Sequence, residues 1–291
     1  MDISRADFIK TLMGATGLML LRKPAIKDTS QSTSSDSEYA ILVDVSKCVG
    51  CWWCFAACKK HNNLSEEIKP EPESPPELSS KTWTTLSTVN INNRWVFRKH
   101  ACMHCTDAAC VKACPAGALN YSDEGYVLYD RDKCIGCGYC AEFCPYEIPK
   151  LENNKITGID TMSKCTFCKE RIENGQQPAC VEACPTGALK FGKRQELLEE
   201  ARERVKELSK KNRDACLYGE YEMGGLHVLY ILPDKPSVYS LPEMPISPAS
   251  LIVQKDIFHP LAWISWGVIA AGLAVNLLVV RARQLKKKGE G

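Results

Sequence analysis

The sequence predicts an α+β fold of two interlocked modules, followed by one membrane-spanning helix. Three observations predict it: a cysteine motif that occurs four times, an internal repeat, and a charge-free apolar run near the C-terminus. The 291 residues are enough for about two domains with buried cores. Lys and Arg number 37 and Asp and Glu 35, so bulk electrostatics gives no support for a nucleic-acid partner.

Cysteine is the unusual component, with 17 residues, of which all but Cys216 fall into four quartets. The first and third quartets have the spacing C-x2-C-x2-C-x3-C: Cys48, Cys51, Cys54, Cys58, and Cys134, Cys137, Cys140, Cys144. The second and fourth have a wider middle gap: Cys102, Cys105, Cys110, Cys114, and Cys165, Cys168, Cys180, Cys184.

These spacings favour iron-sulfur ligation over two alternatives. Consecutive C-x2-C steps are too tightly clustered to join distant segments as disulfides would. The triple run of Cys48, Cys51 and Cys54 does not divide into the paired knuckles of structural zinc. Three such thiolates can hold one face of a cubane cluster, while the fourth cysteine ligates a second cluster. We therefore predict four 4Fe-4S clusters, which would change the formal charge from +2 to about −6. We expect backbone amides to offset this charge.

An internal repeat divides the quartets into two modules. Residues 109–119 and 179–189 match at nine of eleven positions after a shift of 70. Residues 118–130, with a turn-rich centre, predict a β-hairpin between the second and third quartets. Quartet, hairpin, quartet is the plan of a bacterial two-cluster ferredoxin, so residues 95–150 are predicted to form a central ferredoxin-like module. By elimination, residues 38–94 and 151–192 form an outer ferredoxin-like module.

Crossed ligation within each module, as in two-cluster ferredoxins, predicts four ligand sets. In the outer module these are set A (Cys48, Cys51, Cys54, Cys184) and set B (Cys165, Cys168, Cys180, Cys58). In the central module they are set C (Cys102, Cys105, Cys110, Cys144) and set D (Cys134, Cys137, Cys140, Cys114).

The remaining soluble segments have ordinary patterns. Residues 38–45 and 227–232 predict strands, and residues 62–80 predict an exposed loop. Residues 193–212 predict a surface helix, with Glu200–Arg204 and Glu207–Lys211 as supporting ion pairs. This helix and a Pro-rich connector make up a predicted docking segment over 193–255.

The C-terminal residues 256–291 predict a membrane anchor with a basic tail. Leu261–Val280 is twenty residues long without a charge, enough to cross a hydrocarbon core of about 30 Å. Trp263 and Trp266 lie where an interfacial belt is expected. Five basic residues at 281–288 follow, so the positive-inside rule predicts a cytoplasmic C-terminus and a cluster domain on the outer face of the cell membrane.

Residues 1–37 predict a leader-like segment. Ser4–Lys10 resembles a twin-arginine export signal, but Ala6 replaces the second arginine. Two explanations stay open if the segment acts in export: a single arginine suffices, or the chain is exported with a partner that carries a complete signal. A segment without an export role is the third possibility.

The informative stretches together resemble a known family; they are Val43–Cys51, Cys102–Cys105, Cys134–Cys140, Gln177–Ala188 and Gly224–Val228, with the C-terminal helix. They are similar to the iron-sulfur (beta) subunit of membrane-bound respiratory formate dehydrogenase. The resemblance runs from about residue 40 to 280, and it is more specific for the four-cluster family than for its formate member.

The resemblance implies a non-catalytic electron-transfer subunit. Its partners would be a molybdenum or tungsten pterin catalytic subunit and a membrane cytochrome b, or another quinone-reactive subunit. Related four-cluster subunits serve nickel-iron hydrogenases and other molybdopterin reductases, which remain alternatives. A stand-alone membrane-anchored ferredoxin or redox sensor is the alternative from another class. His104 lies between two predicted ligands. Two roles stay open for it: tuning of its cluster by hydrogen bonding, or the role of an ordinary packed imidazole.

Overall fold

The structure is a computed structural model that describes residues 37–64, 70–91, 93–153, 160–253 and 257–289. The predicted leader lies outside these residues, except for residue 37. The strands are β1 (Tyr39–Asp44), β2 (Thr84–Ile91), β3 (Arg94–Ala101), β4 (Leu119–Tyr121), β5 (Val127–Tyr129), β6 (Lys150–Asn153), β7 (Asp160–Ser163), β8 (Leu189–Lys193), β9 (Cys216–Tyr218) and β10 (Val228–Leu232). The helices are α1 (Trp53–His61), α2 (Ala109–Ala113), α3 (Tyr139–Glu142), α4 (Lys169–Glu173), α5 (Ala179–Glu182), α6 (Arg194–Ser209), α7 (Ala249–Val253) and α8 (His259–Gly289). The predicted α+β class is confirmed.

A four-stranded sheet in the order β8-β1-β10-β9 forms the centre of the fold. Strand β1 pairs in parallel with β10 and antiparallel with β8. Both β1 and β10 are buried on both faces, which explains their continuous apolar sequences. Strands β9 and β10 come from the predicted docking segment and pair into the same sheet as β1 and β8.

Helix α6 covers one face of this sheet, as its helical periodicity predicts. Leu197, Leu198 and Ala201 pack with alternate residues of β1, Ala40 and Leu42. Burying each leucine contributes about 1.5–3 kcal/mol. The other face of β1, including Ile41 and Val43, packs into the core that contains the cysteine loops. The sheet therefore separates the docked helix from the cysteines.

The predicted ion pairs within α6 are wrong in their partners. Glu200 pairs with Lys190 on β8, and Arg204 pairs with Asp44 and Glu207. Asp44 is a buried carboxylate at the end of β1, so its pair with Arg204 contributes more to stability than a solvent-exposed pair would. These contacts join the helix to the sheet.

Each quartet begins shortly after a strand ends. Strand β1 leads to the first quartet, β3 to the second, β5 to the third and β7 to the fourth. Strands β2 and β3, β4 and β5, and β6 and β7 form three antiparallel hairpins. The predicted hairpin at 118–130 is β4–β5, with Leu119 opposite Tyr129.

The repeat is visible in the elements that follow the second and fourth quartets. Helix α2 and strand β4 in one copy correspond to α5 and β8 in the other. Strand β4 pairs with β5, which precedes the third quartet, whereas β8 pairs with β1, which precedes the first. The first and fourth quartets therefore share a strand pair, as the second and third do.

Helix α8 contains one segment, Leu261–Leu285, that is long and apolar enough to cross a membrane. Its 25 residues correspond to about 37 Å at the helical rise per residue. All of its residues except half-buried Val275 are exposed, and none of the most apolar window is buried within the structure. The predicted C-terminal apolar helix is thus confirmed, and its apolar segment begins at the predicted Leu261 but extends five residues beyond Val280.

Candidate metal centres

Left-handed turns shape the loops between the first three cysteines of each quartet. In the third quartet Gly136 and Gly138 have φ of 70° and 80°. The equivalent residues of the first quartet are Gly50, with φ of 69°, and Trp52, with φ of 63°. This conformation costs a residue with a side chain about 1–2 kcal/mol. Trp52 is held in it by burial and by an edge-to-face contact with the ring of Phe55.

The loops of the second and fourth quartets meet through two aromatic rings. His104 and Phe167 occupy the equivalent positions before the second cysteine, and both have positive φ. Their ring centroids lie 4.7 Å apart. The backbone N–H of Val127 donates to Nδ1 of fully buried His104 at 3.2 Å, and Nε2 has no hydrogen-bond partner among the described residues. His104 therefore helps to join strand β5 to the loop that carries its two flanking cysteines.

The four cysteines of set D line one pocket, together with Leu119, Leu151 and Met162. The four cysteines of set A line a second pocket. Each pocket includes the cysteine that comes from the other quartet of its module, Cys114 for set D and Cys184 for set A. Each pocket is thus lined by the combination that crossed ligation predicts.

Within set C and within set B, the cysteines also lie near one another. Burial raises the pKa of Cys105, and the thiols of Cys102, Cys110 and Cys144 raise it further. The thiols of Cys165 and Cys180 act in the same direction, after burial, on the pKa of Cys58. In both cases the interacting thiols are those of one predicted set. Over the described ranges, no three His, Cys, Asp or Glu side chains converge closely enough to hold a single metal ion.

The donor chemistry fits iron-sulfur clusters. Burial raises the pKa of Cys102 to about 11 and that of Cys140 to about 12, so these thiols are neutral near pH 7 when no metal is bound. A cluster needs thiolates, and the positive charge of its iron would replace these protons. In sets A and D, four thiols in a pocket with largely apolar walls supply the soft ligands that 4Fe-4S clusters require.

Neighbouring sets interact in one linear order. After burial, the thiol of Cys180 in set B raises the pKa of Cys54 in set A, which is about 12. Cys165 in set B acts on Cys102 in set C, and Cys140 in set D acts on Cys110 in set C. The sets therefore follow one another in the order A, B, C, D.

The two end sets reach the surface. Cys51 in set A and Cys137 in set D are exposed, whereas Cys102 in set C and Cys168 in set B are buried. Apolar side chains flank both exposed cysteines: Val49 and Trp53 at set A, and Ile135, Tyr139 and Leu151 at set D. Clusters of exposed apolar side chains often mark sites of interaction with another protein.

Two buried lysines near the cysteines were missed by sequence reasoning, which assigned charge compensation to backbone amides alone. Lys99 is 2% exposed and lines the pocket of set A. Burial lowers the pKa of Lys99, but the thiols of Cys180 and Cys165 outweigh this effect and leave the pKa above its ordinary value. Lys164 is 1% exposed, and its Nζ donates to the carbonyl oxygens of Val127 and Cys165, each at 2.9 Å.

The seventeenth cysteine lies away from the quartets. Cys216 lies in β9, where its Sγ approaches the carbonyl oxygen of Asp234 at 3.6 Å.

Comparisons with known proteins support an iron-sulfur function. Residues 93–194 match the family described as 4Fe-4S dicluster domain. The chain is 39% identical over 265 residues to the formate dehydrogenase iron-sulfur subunit of Haemophilus influenzae, which covers 86% of this chain and 83% of that protein. It is 40% identical to the iron-sulfur subunit of the nitrate-inducible formate dehydrogenase of Escherichia coli, covering 87% and 89%. A probable anaerobic dimethyl sulfoxide reductase chain of Escherichia coli is 38% identical over 162 residues, covering 55% and 76%.

Proposed function

The chain belongs to the family of formate dehydrogenase iron-sulfur subunits, and we propose that it is the electron relay of a membrane-bound respiratory complex. As an iron-sulfur subunit it is one part of an oxidoreductase. We propose that it has no catalytic site of its own. The catalytic partner would be a molybdenum or tungsten pterin subunit that oxidises formate, and the acceptor would be a membrane cytochrome b that reduces quinone.

We propose that sets A, B, C and D each hold one 4Fe-4S cluster. The observation that carries this proposal is the lining of two pockets, each by three cysteines of one quartet and one of its partner quartet. When bound, the clusters would supply the one-electron carriers of the relay. The same crossing supports the outer module over 38–94 and 151–192 and the central module over 95–150.

The linear order of the sets supports a relay with its two ends at sets A and D. We propose that the patches around Cys51 and Cys137 are the two contact surfaces for redox partners. Sets B and C, none of whose cysteines is exposed, would exchange electrons only within the chain. This arrangement suits a fixed subunit between two partners, because a diffusing carrier needs one exposed cluster rather than two ends.

We propose that α8 anchors the chain as a single-pass helix with its C-terminus in the cytoplasm. The basic residues after the apolar segment support this orientation by the positive-inside rule. The cluster modules would then lie on the outer face, and the helix would contact the cytochrome b. Export of the modules would use a twin-arginine-type route, either through residues 1–37 or through the partner.

A nickel-iron hydrogenase or another molybdopterin reductase is the second candidate complex. The similarity to the probable dimethyl sulfoxide reductase chain supports it, although that match covers a smaller part of the chain. Anaerobic purification from membranes tests the choice. We expect a stable complex with a pterin subunit and a b-type cytochrome that oxidises formate. A complex that contains nickel would favour a hydrogenase, and a lone chain would refute the relay and favour a free ferredoxin or sensor.

A further inference from the structure

Lys99 lies at the junction between sets A and B. Strand β3 carries it three residues before Cys102, opposite Leu86 on β2. Its side chain contributes to the pocket of set A, and its charge acts on thiols of both sets, Cys54 in set A and Cys180 in set B. One buried cation is thus shared by two neighbouring sites.

The backbone around Lys99 is held in place by buried hydrogen bonds. The hydroxyl of Tyr230 donates to the Lys99 carbonyl oxygen at 3.1 Å, and the Arg98 guanidinium donates to the same atom at 3.3 Å. Tyr230 comes from β10, so the central sheet fixes the strand that carries the lysine. The strand that carries Lys99 is therefore fixed beside set A, and its side chain is packed in the interior.

A buried ammonium group is strongly destabilising unless an opposite charge compensates it. Lys99 forms no ion pair with a carboxylate within the described part of the chain, and its surroundings contain thiols instead. Lys164 differs, because two carbonyl oxygens bind its Nζ. The negative charge that would compensate Lys99 is that of the clusters that the proposed function assigns to sets A and B, and the inference rests on that proposal.

We propose that Lys99 is a positioning residue whose fixed positive charge raises the reduction potentials of the clusters in sets A and B. Reduction adds one electron to a cluster and makes it more negative. A nearby cation in a medium of low dielectric constant stabilises the reduced form more than the oxidised form. Lys99 thereby makes the transfer of an electron onto the clusters of sets A and B more favourable.

The test compares three variants in the intact membrane complex: Lys99→Met, Lys99→Arg and Lys47→Met. Lys47 is a matched control, because it precedes Cys48 of set A but has a side chain that is 39% exposed and pairs with Asp44. Iron content and redox titration followed by electron paramagnetic resonance are measured for each. The titration reports potentials, which a merely structural lysine would not change.

We expect Lys99→Met to keep four clusters and to lower two midpoint potentials, with at least a tenfold loss in the reduction equilibrium, about 59 mV. Lys99→Arg should keep both midpoint potentials near their wild-type values. Lys47→Met should change them much less than Lys99→Met does. Loss of two clusters in Lys99→Met but not in Lys99→Arg would also support a role for the charge. Four unshifted potentials in Lys99→Met, or equal damage in Lys99→Met and Lys99→Arg, would overturn the inference. A wild-type complex without clusters would refute the proposed function itself.

Discussion

Replacement of Gly136 by alanine tests how closely the loop of set D is packed. A Cβ at this position would lie 2.0 Å from the backbone carbonyl oxygen of Asp160, whereas real Cβ contacts are almost never shorter than 3.0 Å. The loop and strand β7 must therefore separate by about 1 Å. The left-handed φ of 70° adds a cost of about 1–2 kcal/mol, and overpacking adds about 1–3 kcal/mol. The total expected destabilisation is about 2–5 kcal/mol.

Gly187→Ala is the matched control for this change. Gly187 has a similar φ of 64° and follows a cysteine quartet, but a Cβ there would meet no atom within 4 Å. Its expected cost is the conformational term alone, about 1–2 kcal/mol. The difference between the two variants isolates the contact between Gly136 and Asp160.

The assay is iron content per chain together with the rate of iron release to a chelator. We expect Gly136→Ala to lose the cluster of set D, so that iron falls from about 16 to about 12 atoms per chain. Gly187→Ala should retain all of its iron and release it at most about thirtyfold faster, the factor that corresponds to its cost of no more than about 2 kcal/mol. Equal iron content and equal release rates in the two variants would refute the reasoning.

Three further predictions follow from the same structure. Cys51→Ser should remove or convert the cluster of set A and change its paramagnetic resonance signal. Cys216→Ser is the control and should leave the iron content unchanged. Loss of iron in both variants would contradict the assignment of the quartets. Arg204→Ala should destabilise the sheet by about 1–3 kcal/mol in denaturant unfolding, because Asp44 is buried. Arg202→Ala, which removes an exposed end of an ion pair with Glu220, should cost no more than about 1 kcal/mol, and the reverse ranking would be evidence against the buried contact. Truncation after Val253 should release the chain from the membrane fraction with its iron retained, and a truncated chain that stays in the membrane when expressed without partners would show that α8 is not the anchor.

Local patterns predicted much of the fold. The apolar run of β1, the turn-rich centre of the β4–β5 hairpin and the periodicity of α6 are each encoded within about twenty residues. The charge-free run of α8 is equally local. The crossed ligand sets remain a prediction: the hairpin between the second and third quartets indicated which quartets share a module, and the crossing followed the plan of two-cluster ferredoxins.

Long-range contacts could not be predicted in the same way. The parallel pairing of β1 with β10 joins residues near 42 to residues near 229, and no spacing in the sequence specifies it. Arg204 forms an ion pair with Asp44, 160 residues away in the chain, and not with the nearby Glu200. Lys99 lies between Arg98 and His100 in a polar part of β3, where a lysine is ordinarily a surface residue. Its burial follows from the cysteines that surround it, which only the folded chain brings together.

The central claim is that the sixteen quartet cysteines hold four clusters, and the most direct test is the iron and acid-labile sulfide content of the anaerobically purified complex. The account predicts about 16 iron and about 16 sulfide atoms per chain, beyond those of the partner subunits, and four distinct reducible signals. Zinc in place of iron, or iron without sulfide and without reducible signals, would contradict it.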